Sequence, residues 1–114
     1  MAQSIVIRQI GPTTALSVTA TSTAAVTIAP TSNDQGVYAS FLNTGANPVA
    51  VTIAPATASA SVLPVAGTPQ TVIMLPANMI TPLIYAVPSI FSATAIGTAA
   101  GPSLVYITPV AAQS

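Results

Sequence analysis

The 114-residue chain carries two charged side chains, Arg8 and Asp34, and contains no histidine or cysteine; 52% of it is hydrophobic. Acid–base catalysis needs tunable titratable groups, metal sites need His, Cys or clustered carboxylates, and nucleic-acid binding needs a basic footprint. One arginine and one aspartate supply none of these, so the composition predicts no enzyme, no cofactor, no metal site and no nucleic-acid partner.

In chain order the segments read as strands. Residues 4–10 carry Ile5, Val6, Ile7 and Ile10 around Arg8 and stop at Gly11-Pro12. This apolar N-terminal run is predicted to be an arm or exchanged strand over residues 1–10, and Ile5, Val6, Ile7, Arg8 and Ile10 are its candidate interface residues. Residues 15–21 alternate, with Leu16 and Val18 on one face and Ser17, Thr19 and Thr21 on the other. Residues 24–29 repeat that pattern through Val26 and Ile28. The polar stretch 30–36, with Asn33 and Asp34, reads as an exposed turn.

Residues 37–42 and 49–54 flank a connector rich in Asn, Gly and Pro, which predicts a hairpin. In its second arm Val49, Val51 and Ile53 are expected to face the core and Ala50 and Thr52 to face out. An Ala/Ser-rich loop is predicted over 55–61, a short edge segment over 62–65, and a strand over 70–75. Residues 83–87 are nearly all apolar and predict a strand buried on both faces. Strands over 91–96 and 103–108 follow, the last stopped by Pro109. Eight or nine short strands at about ten-residue intervals, with no helical period, predict one all-β domain over residues 1–114, a jelly-roll-like β-sandwich.

Several tempting features reduce to plain chemistry. A nucleophilic serine needs a base and an orienting group, and no His, Cys or Lys is present. Asp34 alone falls short of the several oxygens that hold calcium. The five aromatic residues are scattered and act as core or interface anchors. Ala25-Val26-Thr27-Ile28-Ala29-Pro30 recurs as Ala50-Val51-Thr52-Ile53-Ala54-Pro55, but the flanks do not align, so the echo reads as two strands in similar surroundings. Prolines from Pro48 to Pro88 fall no more than nine residues apart, which leaves no window for the roughly 20-residue helix that spans a membrane. The N-terminus lacks the basic and apolar regions of a signal peptide, so synthesis in a host cytoplasm without export by that route is expected.

Four pieces carry a resemblance: Phe41-Leu42-Asn43-Thr44-Gly45, Pro64-Val65-Ala66-Gly67, Met74-Leu75-Pro76 and Val105-Tyr106-Ile107-Thr108-Pro109. From Tyr38 onward the chain resembles small structural proteins of tailed-bacteriophage virions, departing from them after Pro109, where Val110-Ala111-Ala112-Gln113-Ser114 replaces a Gly-Glu-Gly-like ending. The resemblance implies a capsid decoration or cement protein on the outer surface of the virion. Its partner would be the major capsid protein, with self-association into a homo-oligomer, and no catalytic residues are carried over. A tail or spike receptor-binding module and a self-assembling tube or surface-layer subunit are the alternatives. Near-zero charge favours assembly in each case, because nothing repels a neighbouring copy.

Overall fold

The computed structural model describes residues 7–31, 37–99 and 102–112. Within them the chain forms nine strands and no helix: β1 (Ile7–Gln9), β2 (Thr14–Val18), β3 (Val26–Ile28), β4 (Val37–Asn43), β5 (Val49–Ala54), β6 (Ile73–Leu75), β7 (Leu83–Ala86), β8 (Phe91–Gly97) and β9 (Ser103–Ala112). One sheet is ordered β1-β9-β4-β7, with β2 also on β9; the other is ordered β3-β8-β5-β6. Every pairing is antiparallel, and the two halves of the chain pair in reverse order: β2 with β9, β3 with β8, β4 with β7 and β5 with β6. The β4–β9 and β5–β8 pairs join these into sheets.

The expected alternation explains the packing. In β4, Val37, Ala39, Phe41 and Asn43 are buried while Tyr38, Ser40 and Leu42 are partly exposed. The inward positions of both sheets meet in one core containing Leu16, Val18, Ile28, Phe41, Val49, Val51, Leu75, Phe91, Val105 and Ile107. Burying one such side chain contributes about 1.5–3 kcal/mol. The echoed segments lie on either side of one strand: β3 and β5 both pair with β8, and Val26 and Ile53 both stand opposite Ala93.

Several expectations are corrected. The predicted hairpin is a crossover, since β4 and β5 belong to different sheets. Asn43 makes the crossing: it is fully buried, its Nδ2 donates to the Asn47 carbonyl at 2.9 Å and the Pro76 carbonyl at 3.1 Å, and its Oδ1 accepts the Gly45 N–H at 3.0 Å. The bend is clamped by Thr44 N–H to the Leu104 carbonyl and by Asn78 N–H to the Gly45 carbonyl. Asn78 itself takes a left-handed φ of 54°, a conformation asparagine tolerates better than most residues. A side chain at Gly45 would overlap Ser103.

The strand over 70–75 shortens to Ile73–Leu75, and residues 62–65 form no strand beyond a single bridge from Val65 to Thr68 around Gly67. Ala50 is buried although it faces away from the core; its cross-strand neighbours are the larger Met74 and Ile96, which flank its methyl group. The strand over 83–87, expected to be buried on both faces, is an edge strand whose four residues are all exposed. An unbroken apolar run has the same composition in a sheet centre as at an edge awaiting a cover.

β9 also runs on through Pro109 to Ala112 instead of stopping. Four residues, 10–13, bulge opposite Thr108 and Pro109 between the β1 and β2 pairings. Ile10 N–H donates to the Pro109 carbonyl at 3.0 Å. Proline cannot return the reciprocal bond, so the Ile10 carbonyl instead accepts Thr31 N–H at 2.7 Å and Thr31 Oγ1 at 3.2 Å. A proline inside a central strand is thereby accommodated at a bulge, where its missing donor is replaced. Gly11 is required there, because a Cβ would come within 2.7 Å of the Pro109 ring.

Candidate interaction surface

The two sheets end on one flank in β7 and β6. Between them runs a groove of about 210 Å³ lined by Val51, Ile53, Thr71, Val72, Ile73 and Tyr85. Tyr85 stands opposite Ala39 on the inward face of β7 and packs edge-on against Phe41, with ring centroids 6.0 Å apart and planes at 86°. It remains 41% exposed, so one side of its ring closes the core and the other faces the groove. Leu83, Ile84 and, beyond Pro82 and Pro88, Ile80 and Ile90 are also exposed; Ile80 is 97% open to solvent. The lining offers two side-chain hydroxyls, from Thr71 and Tyr85, and is otherwise aliphatic. The groove wall is mainly apolar, and the strand beside it, β7, is the edge of its sheet.

A second polar cluster lies on the outer face of the other sheet. Residues 55–61 cross β8, whose Ser92 and Thr94 are buried beneath them. Ala58 N–H donates to Ser92 Oγ at 3.0 Å, Thr94 Oγ1 donates to the Ser59 carbonyl at 2.6 Å, and Ser61 Oγ lies 2.9 Å from Thr52 Oγ1 and 3.0 Å from the Thr94 carbonyl. Ser61 N–H donates to Ser22 Oγ at 2.9 Å. These hydroxyls have no base to activate them and spend their bonds on one another and on backbone. They hold the Ala/Ser-rich segment as a strap. Among the described residues no buried side-chain polar atom lacks a partner, and no three His, Cys, Asp or Glu cluster as metal ligands.

The N-terminal candidates separate. Ile5, Val6 and Asp34 lie outside the described residues. Ile7 and Arg8 are in β1, opposite Ala112 and Ala111 of β9, with Arg8 exposed. Ile10 is 3% exposed and forms a small second cluster with Val37 and Ala111. In the single chain the described part of the N-terminal run is thus paired with its own sheet. Three of the four pieces that carry the resemblance meet in space, since Asn43 bonds Pro76 and Thr44 bonds Leu104 next to Val105, and there they build the crossover; Pro64 to Gly67 instead lies at the local Val65–Thr68 bridge.

The flank was not legible as a site in the sequence. One signal was available: prolines at both ends of an apolar run are a device that blunts exposed strand edges. No protein family, no curated protein and no solved structure matches this chain.

Proposed function

We propose that this protein is a non-enzymatic virion component that decorates and cements a phage capsid, bound to the outside of the shell through its major capsid protein. The observation that carries this reading is the surface. Val62, Val65, Met74, Ile80, Leu83, Ile84, Tyr85, Ile90 and Leu104 stand exposed on a chain with two charged side chains in all. Large exposed apolar residues on a stable fold mark interaction surfaces, and Ser, Thr and Ala around them cost little to desolvate compared with lysine or glutamate. A protein that binds only the assembled lattice stabilises that lattice by mass action.

The strand order lends further support. Pairing in reverse order, β2-β9-β4-β7 facing β3-β8-β5-β6, is how a long hairpin winds into a jelly roll, an architecture used by viral capsid and lectin domains. Fold alone does not assign function, so the argument rests on the surface and on the resemblance to virion proteins.

The test adds purified protein to shells assembled from the major capsid protein of the phage whose genome encodes it. Co-sedimentation with shells but not with unassembled capsid protein, a raised shell melting temperature, and binding that survives sodium chloride are expected, because screening acts on charges this surface lacks. Absence of binding to assembled shells overturns the reading. Filaments formed by the isolated protein would replace it with a self-assembling subunit.

A further inference from the structure

We propose that two copies of this protein form a closed two-fold dimer by pairing β7 with β7, antiparallel and centred on Tyr85. The argument starts from the backbone of the edge. Val87 N–H donates to the Val37 carbonyl, one step beyond the Tyr38–Ala86 pair of the ladder. Hydrogen-bonded pairs alternate in an antiparallel ladder, so Tyr85 and Leu83 also bond inward to β4. The N–H and C=O groups of Ile84 and Ala86 therefore point away from the sheet. Pro82 and Pro88 fall on the same outward phase and have no N–H to offer. The free edge presents a short window of donors closed by a proline at each end.

That window is symmetric. Outward from Tyr85 the residues pair as Ile84 and Ala86, Leu83 and Val87, Pro82 and Pro88, Thr81 and Ser89, Ile80 and Ile90. The segment is a palindrome in chemical type, aliphatic matched to aliphatic, proline to proline and hydroxyl to hydroxyl. An isologous contact demands a surface complementary to itself reversed, which this strand is. With Tyr85 on the axis, Ile84 of one copy lies opposite Ala86 of the other. Each N–H of that pair meets the other's C=O, twice by symmetry, and every outward backbone group between the prolines is satisfied. A slip of two residues either way leaves the carbonyl of Ile84 or of Ala86 facing a proline with no donor. A slip of one moves the side chains to the wrong faces.

The side chains agree with this register. Ile84 meets the small Ala86 of the second copy on the outer face. Tyr85 meets its own equivalent on the inner face, beside the apolar groove. No charged residue occurs between Ile80 and Ile90, so pairing desolvates no ion and brings no like charges together across the axis. The interface closes on itself, so it yields dimers and not filaments. The proposal stands independently of capsid binding, since it concerns the isolated protein.

Sedimentation of the full chain from about 1 µM to about 1 mM should show a concentration-dependent monomer–dimer equilibrium. Amide hydrogen exchange at Ile84 and Ala86 should slow in parallel with the dimer fraction. Ala86→Pro removes an N–H that the monomer does not use, and Ile84→Lys places like charges close to the axis. Each should weaken dimerisation at least about tenfold while leaving the circular dichroism unchanged. Leu104→Lys, on the far side of the same sheet, should leave the dimer intact. A chain monomeric throughout, a dimer indifferent to both β7 substitutions, or Ile84 and Ala86 amides whose exchange ignores concentration would each overturn the proposal. If Ala86→Pro fails to fold, the exchange of the parent protein still decides.

Discussion

Replacing Asn43 should damage this fold more than replacing any other polar residue described. Its side chain is fully buried and spends both ends of its amide on the crossover between the sheets: Nδ2 on the carbonyls of Asn47 and Pro76, Oδ1 on the Gly45 N–H. Asn43→Ala strands those three backbone groups. A net contribution of about 0.5–1.5 kcal/mol for each bond gives a loss of about 2–4 kcal/mol. At an m-value of about 1–3 kcal/mol/M, the urea midpoint should fall by about 1–2 M with m unchanged. Asn43→Asp sharpens the test, because an ionised carboxylate would face two carbonyls where the amide offered donors. It should be less stable than Asn43→Ala at neutral pH. Burial beside carbonyls raises the folded-state pKa of such an Asp above its unfolded value, so the folded state binds the extra proton more readily. The variant should therefore gain stability as pH falls through that raised pKa, when the carboxyl can donate again. An Asn43→Ala midpoint within about 0.3 M of the parent, or an Asn43→Asp variant indifferent to acid, would refute the role assigned to this side chain.

Three further outcomes follow from the same structure. With one Asp, one Arg and no His in the chain, the melting temperature should stay nearly flat between about pH 5 and 9, checked by scanning calorimetry; a large shift would reveal a titrating group of unexpected weight. Deleting residues 1–10 removes β1 and uncovers Val37 and Ala111 but leaves β2 paired with β9. It should cost about 2–4 kcal/mol in urea unfolding while the β-sheet circular dichroism survives, and loss of the fold would make this strand indispensable. Thr94→Val removes the hydroxyl that pins the Ser59 carbonyl and contacts Ser61. A loss of about 1–3 kcal/mol is expected, together with faster proteolytic cutting within residues 55–61; an unchanged cutting rate would mean that the strap is held elsewhere.

The strands themselves were readable because period-two alternation is a local property: a residue's neighbours in sequence show which face it shares. Thus β2, β3, β4, β5 and β8 stand where Leu16-Ser17-Val18, Val26-Thr27-Ile28 and the similar runs predicted, and an all-β sandwich followed from their number and spacing. Pairing is not local. Nothing between Asn43 and Val49 distinguishes a hairpin from a crossover, because the decision rests on Pro76, Asn78, Ser103 and Leu104, which are distant in sequence. Pro109 illustrates the same limit, since proline ends a strand unless a bulge and a substitute donor, here residues 10–13 and Thr31, arrive from elsewhere in the chain. The candidate surface was hidden for a related reason. The run from Leu83 to Val87 has the hydrophobicity of a core strand, and only its place at the end of a sheet turns that hydrophobicity outward. Composition determined how few charged groups this protein can present; the tertiary structure decided which apolar side chains face outward, because exposure belongs to the packed sheets and not to the residues one at a time.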